Sequence, residues 1–348
     1  MPKFVELEVT HIKRETDASV VLSLSPVGEE LSFSPGQYLT FRKEFDGVEI
    51  RRCYSVCTSP EEGLKVGIKA VDGGVFSSFA NCDLEAGDRL EAMPPMGSFG
   101  RHRGKYNLAF AGGSGITPLL SIIKTTLKSD PDAVFTLVYA NQSISSTMFR
   151  NELQDLKDRY LSRFHVIDIL EDNAQEIDLF AGRLDSQKLD ALYKGWIDIQ
   201  AVDQAYICGP APMMEVVKQS LRAHLDASQI SIEQFLSEQP GRAKTKAKSL
   251  ATGSRQNVAH ATFLLDGVSH DVDLSPETSL LQAALDAQID APYACRAGVC
   301  STCKAKLLEG KVDMRANQAL EDYEVEAGYI LTCQSHMKSE KVVVDYDG

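Results

Sequence analysis

Tyr293-Ala294-Cys295-Arg296-Ala297-Gly298-Val299-Cys300-Ser301-Thr302-Cys303 puts three thiols within nine residues, and Cys333 follows thirty residues later. This C-x4-C-x2-C…C order is the plant-type spacing for a [2Fe–2S] cluster, with Cys295, Cys300, Cys303 and Cys333 as the four thiolates for two irons. The small residues between them let backbone N–H groups turn toward sulfur, which tunes such a centre. Zinc is the competing reading. It usually brings two close cysteine pairs or a Cys/His mixture, whereas here there is one close pair and His336 is the sole nearby histidine.

Outward from this loop, residues 261–348 read as a small α+β unit of the β-grasp kind. It opens on a hairpin pattern, Ala261–Leu265, Asp266-Gly267, then Val268–Val272. A helix over Ser279–Gln288 follows, and a strand at Val342–Val344 closes it. The unit carries 15 Asp/Glu against 7 Lys/Arg, so it holds −8 of the chain's formal −13. Before it, residues 237–260 read as a linker. From Gln239 to His260 there are five basic residues, no acidic one and almost nothing to bury.

Residues 105–236 alternate strand-like and helical stretches. Strands are expected at Leu108–Ala111, Val134–Tyr139, Val166–Leu170 and Ala205–Cys208, with helices over Pro118–Leu127, Ser146–Asp158 and Ala211–Leu225. That rhythm is the signature of a parallel, doubly wound α/β sheet. Residues 1–104 instead show short alternating strands separated by turns such as Ser34-Pro35-Gly36 and Asp72-Gly73-Gly74, which predicts an antiparallel β-barrel or a β-sandwich. Met93-Pro94-Pro95-Met96-Gly97 reads as the exit from it.

An iron–sulfur centre needs an electron donor, and several strings suit a flavin and a nicotinamide. Arg52 and Tyr54 share one face of a strand. Arg52 is placed to clamp a phosphate, Tyr54 to stack on a flavin ring and Ser55 to donate toward its N5, with Cys53 between them. A plain amphipathic strand gives the same string. Lys69 and the turn Gly74-Val75-Phe76-Ser77 offer N–H groups at a helix start for a diphosphate. Gly112-Gly113-Ser114-Gly115-Ile116-Thr117-Pro118 follows a strand and opens a helix, as does Cys208-Gly209-Pro210, at strand ends where α/β sheets bind ligands. A generic tight turn and a small buried cysteine are the bland readings of these two. No H-E-x-x-H, P-loop or G-x-S-x-G motif supports a hydrolase.

The order of these strings is similar to that of the ferredoxin–NADP reductase superfamily, here followed by a plant-type ferredoxin, so the whole chain resembles the three-domain oxygenase reductases. Arg51-Arg52-Cys53-Tyr54-Ser55, Gly310-Lys311-Val312-Asp313-Met314 and Ala327-Gly328-Tyr329-Ile330-Leu331-Thr332-Cys333-Gln334 carry it furthest toward the reductases of phenylacetyl-CoA epoxidases. The reductases of 3-ketosteroid 9α-hydroxylases are similar in the same places. The resemblance implies FAD rather than FMN in the barrel and NADPH or NADH as donor. It puts Tyr54 and Ser55 at the flavin ring, Cys208 near the nicotinamide and Glu233 in proton movement, with Phe235 shielding the flavin. Relatives often carry arginine after Tyr139-Ala140-Asn141, a natural partner of a 2′-phosphate. Gln142 stands there, leaving Ser143, Ser145 or Arg150 to serve and the choice of nucleotide open.

The implied activity is electron transfer from NAD(P)H through FAD and [2Fe–2S] to a separate iron-dependent oxygenase, of the di-iron epoxidase or Rieske type. The acidic ferredoxin unit would dock on it. A flavin and cluster carrier or sensor without nicotinamide turnover is the alternative of another class. The net charge of −13 argues against nucleic acid. No apolar run suits a membrane span and the N-terminal residues read straight into a strand, so a cytoplasmic protein is expected.

Overall fold

The computed structural model describes residues 4–102, 104–172, 177–235 and 259–348. Six antiparallel strands form the N-terminal barrel: β1 (Val5–Thr16), β2 (Ser19–Pro26), β3 (Tyr38–Phe45), β4 (Val48–Ser55), β5 (Leu64–Lys69) and β6 (Arg89–Met96), in the order β4-β3-β6-β1-β2-β5. A bridge between Val56 and Val66 joins the two outer strands, so the sheet closes on itself. Helix α1 (Val75–Cys82) packs against β5 and β2. The Met93–Met96 stretch does not leave the barrel. It is the end of β6, and its two prolines sit where the register with β3 jumps from Met96 to Met93, a bulge that spares the ladder their missing N–H groups.

The second domain is a five-stranded parallel sheet of β7 (Tyr106–Gly112), β8 (Val134–Asn141), β9 (Phe164–Leu170), β10 (Gln204–Cys208) and β11 (Ile230–Glu233), ordered β11-β10-β7-β8-β9. Helices α2 (Ile116–Ser129) and α3 (Arg150–Arg159) pack on one face; α4 (Ser186–Gly195) and α5 (Ala211–Leu221) pack on the other. Alternation along β7 explains the two layers: Ala109 and Ala111 face α2, whereas Leu108 and Phe110 face α5 and α4. Four segments differ from the sequence reading. The Ser146–Asp158 helix starts only at Arg150, because Phe149 adopts a left-handed φ of 57°. Helix α5 stops at Leu221, where the bonds of Ala223 and His224 tighten to turns. Helix α4 and strand β11 had no counterpart in the pattern.

Barrel and sheet are packed through α2. The Ser121 hydroxyl donates to the Thr58 carbonyl at 2.6 Å, and the Lys124 ammonium, 7% exposed, lies between Glu62 of the barrel and Glu152 of α3.

The C-terminal domain belongs to a separate compact unit. Its mixed sheet runs β13-β12-β18-β14-β16, from β12 (Ala259–Leu265), β13 (Val268–Leu274), β14 (Lys304–Glu309), β16 (Tyr329–Leu331) and β18 (Lys341–Asp345). β12 and β18 are parallel, and the short strands β15 (Val312–Met314) and β17 (Ser335–Met337) form a second pair. Helix α6 (Leu280–Asp286) lays Leu280, Leu281, Ala283 and Ala284 on Phe263, Val342 and Val344. α7 (Asp322–Glu326) precedes β16. The hairpin turn has both central residues at positive φ, Asp266 at 54° and Gly267 at 71°, as a two-residue turn requires. Of the stretch read as a linker, Ala259 and His260 open β12, a correction; residues 237–258 lie outside the described residues.

Candidate functional site

The chain runs from β7 through β8 to β9 on one side, then returns to place β10 and β11 on the other side of β7. The carboxyl ends of β7 and β10 therefore flank the point where strand order reverses, the usual ligand crevice of an open α/β sheet. The two glycine-bearing turns of the sequence meet there. A Cβ on Gly115 would stand 2.1 Å from the Cys208 carbonyl oxygen, one on Gly112 would stand 2.4 Å from Cδ of Pro210, and one on Gly209 would stand 2.9 Å from Cα of Gly112. Gly115 is thus demanded by backbone meeting backbone, whereas Gly112 is crowded by the Pro210 ring and the Met213 side chain, and Gly209 by Met213 as well as by the Gly112 backbone. Gly113 differs: its φ is +52°, and the nearest atom to a Cβ there is the Lys69 ammonium nitrogen at 3.7 Å. Thr117 and Pro118 are buried in the first turn of α2, the threonine hydroxyl donating to the Ser114 carbonyl at 3.0 Å.

Three assigned residues far apart in sequence converge beside this crevice. β10 and β11 pair in parallel with Cys208 opposite Glu233. The Ser55 hydroxyl, 2% exposed at the end of β4, donates to Glu233 Oε1 at 2.9 Å. Desolvation pushes the Glu233 carboxyl up to about 8, against the pull of the Ser55 bond. Burial, and then the nearby Glu233 charge, raises the Cys208 thiol well above its ordinary value. Phe235, just beyond, packs on the core between the sheet and α2.

In the barrel, the half-buried Tyr54 ring is backed by Phe76 at 5.6 Å and Phe41 at 6.1 Å. Such a rigid aromatic platform suits a planar ring system. Phe76 and Ser77 are buried in α1, and the Ser77 hydroxyl is used within the turn, donating to Gly74 and accepting from Val71 N–H. That leaves Gly74 as N-cap and the exposed Val75 at the start of α1. Cys53 faces away from Tyr54 toward the Thr40 hydroxyl at 3.4 Å, and the Arg52 guanidinium donates to the Arg51 carbonyl at 2.7 Å.

In the C-terminal unit the four thiols come together as one connected set, Cys300 beside Cys295, Cys295 beside Cys333 and Cys333 beside Cys303. Cys295 is held well below the usual thiol range by hydrogen bonds from Cys300 and Cys333, and Cys303 is lowered by Cys333. Among the described residues no three metal-ligating side chains converge on one ion. Four thiols so gathered fit a two-iron cluster, in which each iron takes two. The Ala297 N–H donates to Cys295 Sγ at 3.3 Å and the Gln334 amide to Cys333 Sγ at 3.6 Å. The loop is tight enough to hold Arg296 at φ 55° and Gly298 at φ 77°, where a Cβ would stand 2.7 Å from the Ala316 carbonyl oxygen.

Three family profiles match in chain order: an oxidoreductase FAD-binding domain over residues 7–100, an oxidoreductase NAD-binding domain over 110–219 and a 2Fe-2S iron-sulfur cluster binding domain over 263–338. The chain is 41% identical to one of the subunits of the 1,2-phenylacetyl-CoA epoxidase of Escherichia coli K12, covering 100% of this chain and 99% of that one. It is 34% identical to the ferredoxin reductase component of the Mycolicibacterium smegmatis 3-ketosteroid-9-alpha-monooxygenase, over 99% and 97% of the two chains. The chain belongs to the oxygenase reductase family.

As an oxygenase reductase it is an oxidoreductase with FAD, NAD and [2Fe–2S] domains, serving an oxygenase as its electron-delivering component. Phthalate dioxygenase reductase has the same fold, with a TM-score of 0.57 at 24% identity and 98% of each chain covered. No helix among the described residues is long and apolar enough to cross a membrane. Sequence reasoning on this oxygenase reductase missed two groups. The Lys124 cation is hidden in a largely buried helix, and Tyr139 passes for an ordinary strand residue. The serines of the β8–α3 loop bond one another, Ser143 to Ser145 at 3.0 Å and to Ser146 at 3.1 Å.

Proposed function

We propose that this reductase passes electrons from NAD(P)H to a phenylacetyl-CoA epoxidase-type oxygenase, using Ser55, Cys208 and Glu233 as the residues around the hydride transfer. The observation that carries the site is the Ser55–Glu233 bond beside Cys208 at the strand-order switch. The full-length likeness to the epoxidase component supports the partner. When bound, FAD takes up the hydride's two electrons and the [2Fe–2S] centre releases them singly. Tyr54 would support the flavin ring; Gly74, Val75 and Lys69 would face its diphosphate. The turn Gly112–Pro118 and the Cys208-Gly209-Pro210 turn would hold the nucleotide, while Cys208 and Phe235 keep water from the reacting atoms. Cys295, Cys300, Cys303 and Cys333 would hold the cluster.

An anaerobic titration with NADPH and, separately, NADH tests this by visible absorbance and low-temperature EPR. Flavin bleaching followed by a rhombic S = 1/2 signal is expected, and the faster nucleotide identifies the donor. No bleaching with either would leave only a carrier. The pH profile tests Glu233. Its folded-state value of about 8 lies above the ordinary 4.5, so the folded protein keeps a proton through neutral pH that the unfolded chain releases. That contribution to stability is complete below about 4.5 and lost as the pH rises through 8. The rate of flavin reduction should follow the protonated form, falling roughly eightfold between pH 7.5 and 9. Glu233→Gln should flatten that limb; an unchanged limb would remove Glu233 from the reaction.

For docking, α7 offers the exposed carboxylates of Glu321, Asp322 and Glu326 around the exposed side chains of Tyr323 and Val325. Its Glu324 pairs at 3.1 Å with Lys304, the residue after cluster ligand Cys303. This face would meet a basic patch on the oxygenase. Changing Glu321, Asp322 and Glu326 to lysine should slow oxygenase reduction about tenfold at low salt and little at high salt, with ferricyanide reduction unaffected. An equal rate at low salt would put docking elsewhere.

A further inference from the structure

Tyr139 is fully buried in β8, on the sheet face that packs against α2. Its phenol donates to the Gly113 carbonyl at 3.0 Å and the Met148 carbonyl at 3.3 Å, one proton shared by two acceptors. One side chain thus ties the β7–α2 turn to the β8–α3 loop. The bond to Gly113 has a geometric consequence. All peptide bonds of the described residues are trans, and in a planar trans peptide the C=O and the following N–H point in opposite directions. Anchoring the Gly113 oxygen on a phenol in the core therefore turns the Ser114 N–H to the other side of the turn. Gly113 itself sits at φ +52°, a conformation that most residues avoid, with the Lys69 ammonium as its nearest neighbour on the Cβ side. Its carbonyl also accepts from the Ile116 N–H, so the phenol is not needed merely to satisfy a buried oxygen.

We propose that Tyr139 is a positioning residue for NAD(P)H, which through the Gly113 carbonyl fixes the Ser114 N–H and the open side of the turn against a nucleotide phosphate. This rests on the reading above that the Gly112–Pro118 turn holds the nucleotide. Tyr139 is fully buried and acts through the Gly113 carbonyl, so its effect belongs to binding and not to the hydride step.

The test uses the full holoprotein. Tyr139→Phe removes one hydroxyl and leaves the ring in the core. It should raise KM for the nucleotide about fivefold, the worth of one hydrogen bond of roughly 1 kcal/mol, with kcat within twofold. The flavin and cluster spectra after dithionite should be unchanged. Gly113→Ala should also raise KM, and the double variant should be no worse than Gly113→Ala alone, because both act on one peptide. An unchanged KM in Tyr139→Phe would overturn the proposal. So would a fall in kcat with the thermal midpoint, which marks a structural role, or strict additivity in the double variant. Failure of the unmodified protein to bleach with NAD(P)H would instead defeat the underlying reading of the turn.

Discussion

Cys333→Ser should leave flavin reduction by NAD(P)H within twofold of the unmodified rate and cut electron delivery to the oxygenase by more than a hundredfold, on the order expected when a cluster ligand is lost. Cys333 is buried on the turn between β16 and β17, the one thiol brought from outside the 295–303 loop. It lies within hydrogen-bonding reach of both Cys295 and Cys303, so its sulfur closes the set. A serine hydroxyl is a far weaker acid than a thiol and a harder donor, poorly suited to iron in this cluster. Tyr54, Ser55, Cys208 and Glu233 lie in a different compact unit, so hydride uptake should survive. The rhombic EPR signal should vanish with delivery; an intact signal with normal delivery would show that another group completes the cluster.

Gly115→Ala should have the opposite distribution of damage. Gly115 has an ordinary helical φ of −61°, so only space forbids a side chain. A methyl group there would sit 2.1 Å from the oxygen and 2.5 Å from the carbon of the Cys208 carbonyl, with Gly209 N at 2.9 Å. All three are backbone atoms, so the ends of β7 and β10 must move apart. The cost is about 3–5 kcal/mol, in the range of a severe overpacking change. For a unit of this size that lowers the midpoint of thermal unfolding by roughly 10 °C. The displacement also moves Cys208 away from Glu233 and Ser55, so flavin reduction should fall steeply. Dithionite-reduced cluster spectra should be unaffected. Gly195→Ala is the control: nothing lies within 4 Å of its Cβ position at the end of α4, and its midpoint should hardly shift. Equal midpoints for both variants would refute the close approach.

How much of this was legible in advance depended on the range of the interaction. The cysteine loop and the Asp266-Gly267 turn are local devices, in which spacing or φ preference is enough. The alternation of strands and helices after residue 105 likewise follows from local hydrophobic period. The Gly112–Pro118 turn was visible as a turn, but the need for Gly112 and Gly115 comes from a second turn nearly a hundred residues away. The Ser55–Glu233 bond spans 178 residues, and no periodicity reports such a meeting; only the family resemblance pointed to both. Helix ends were misjudged where a loop used its own bonds. The Ser143–Ser146 hydroxyls and the left-handed Phe149 delay α3, although the composition of that stretch is compatible with a helix.

The buried Lys124 has a consequence for anyone who wishes to recombine these reductases. The profiles divide barrel from nucleotide sheet near residue 105, which invites exchange of one for another. A chimera cut there would bring α2 against a foreign barrel. Lys124 would keep Glu152 but lose Glu62, and Ser121 would lose its acceptor on Thr58. An ammonium stripped of half its countercharge in a nearly closed site is costly. Barrel and nucleotide sheet are therefore best transplanted as one cassette.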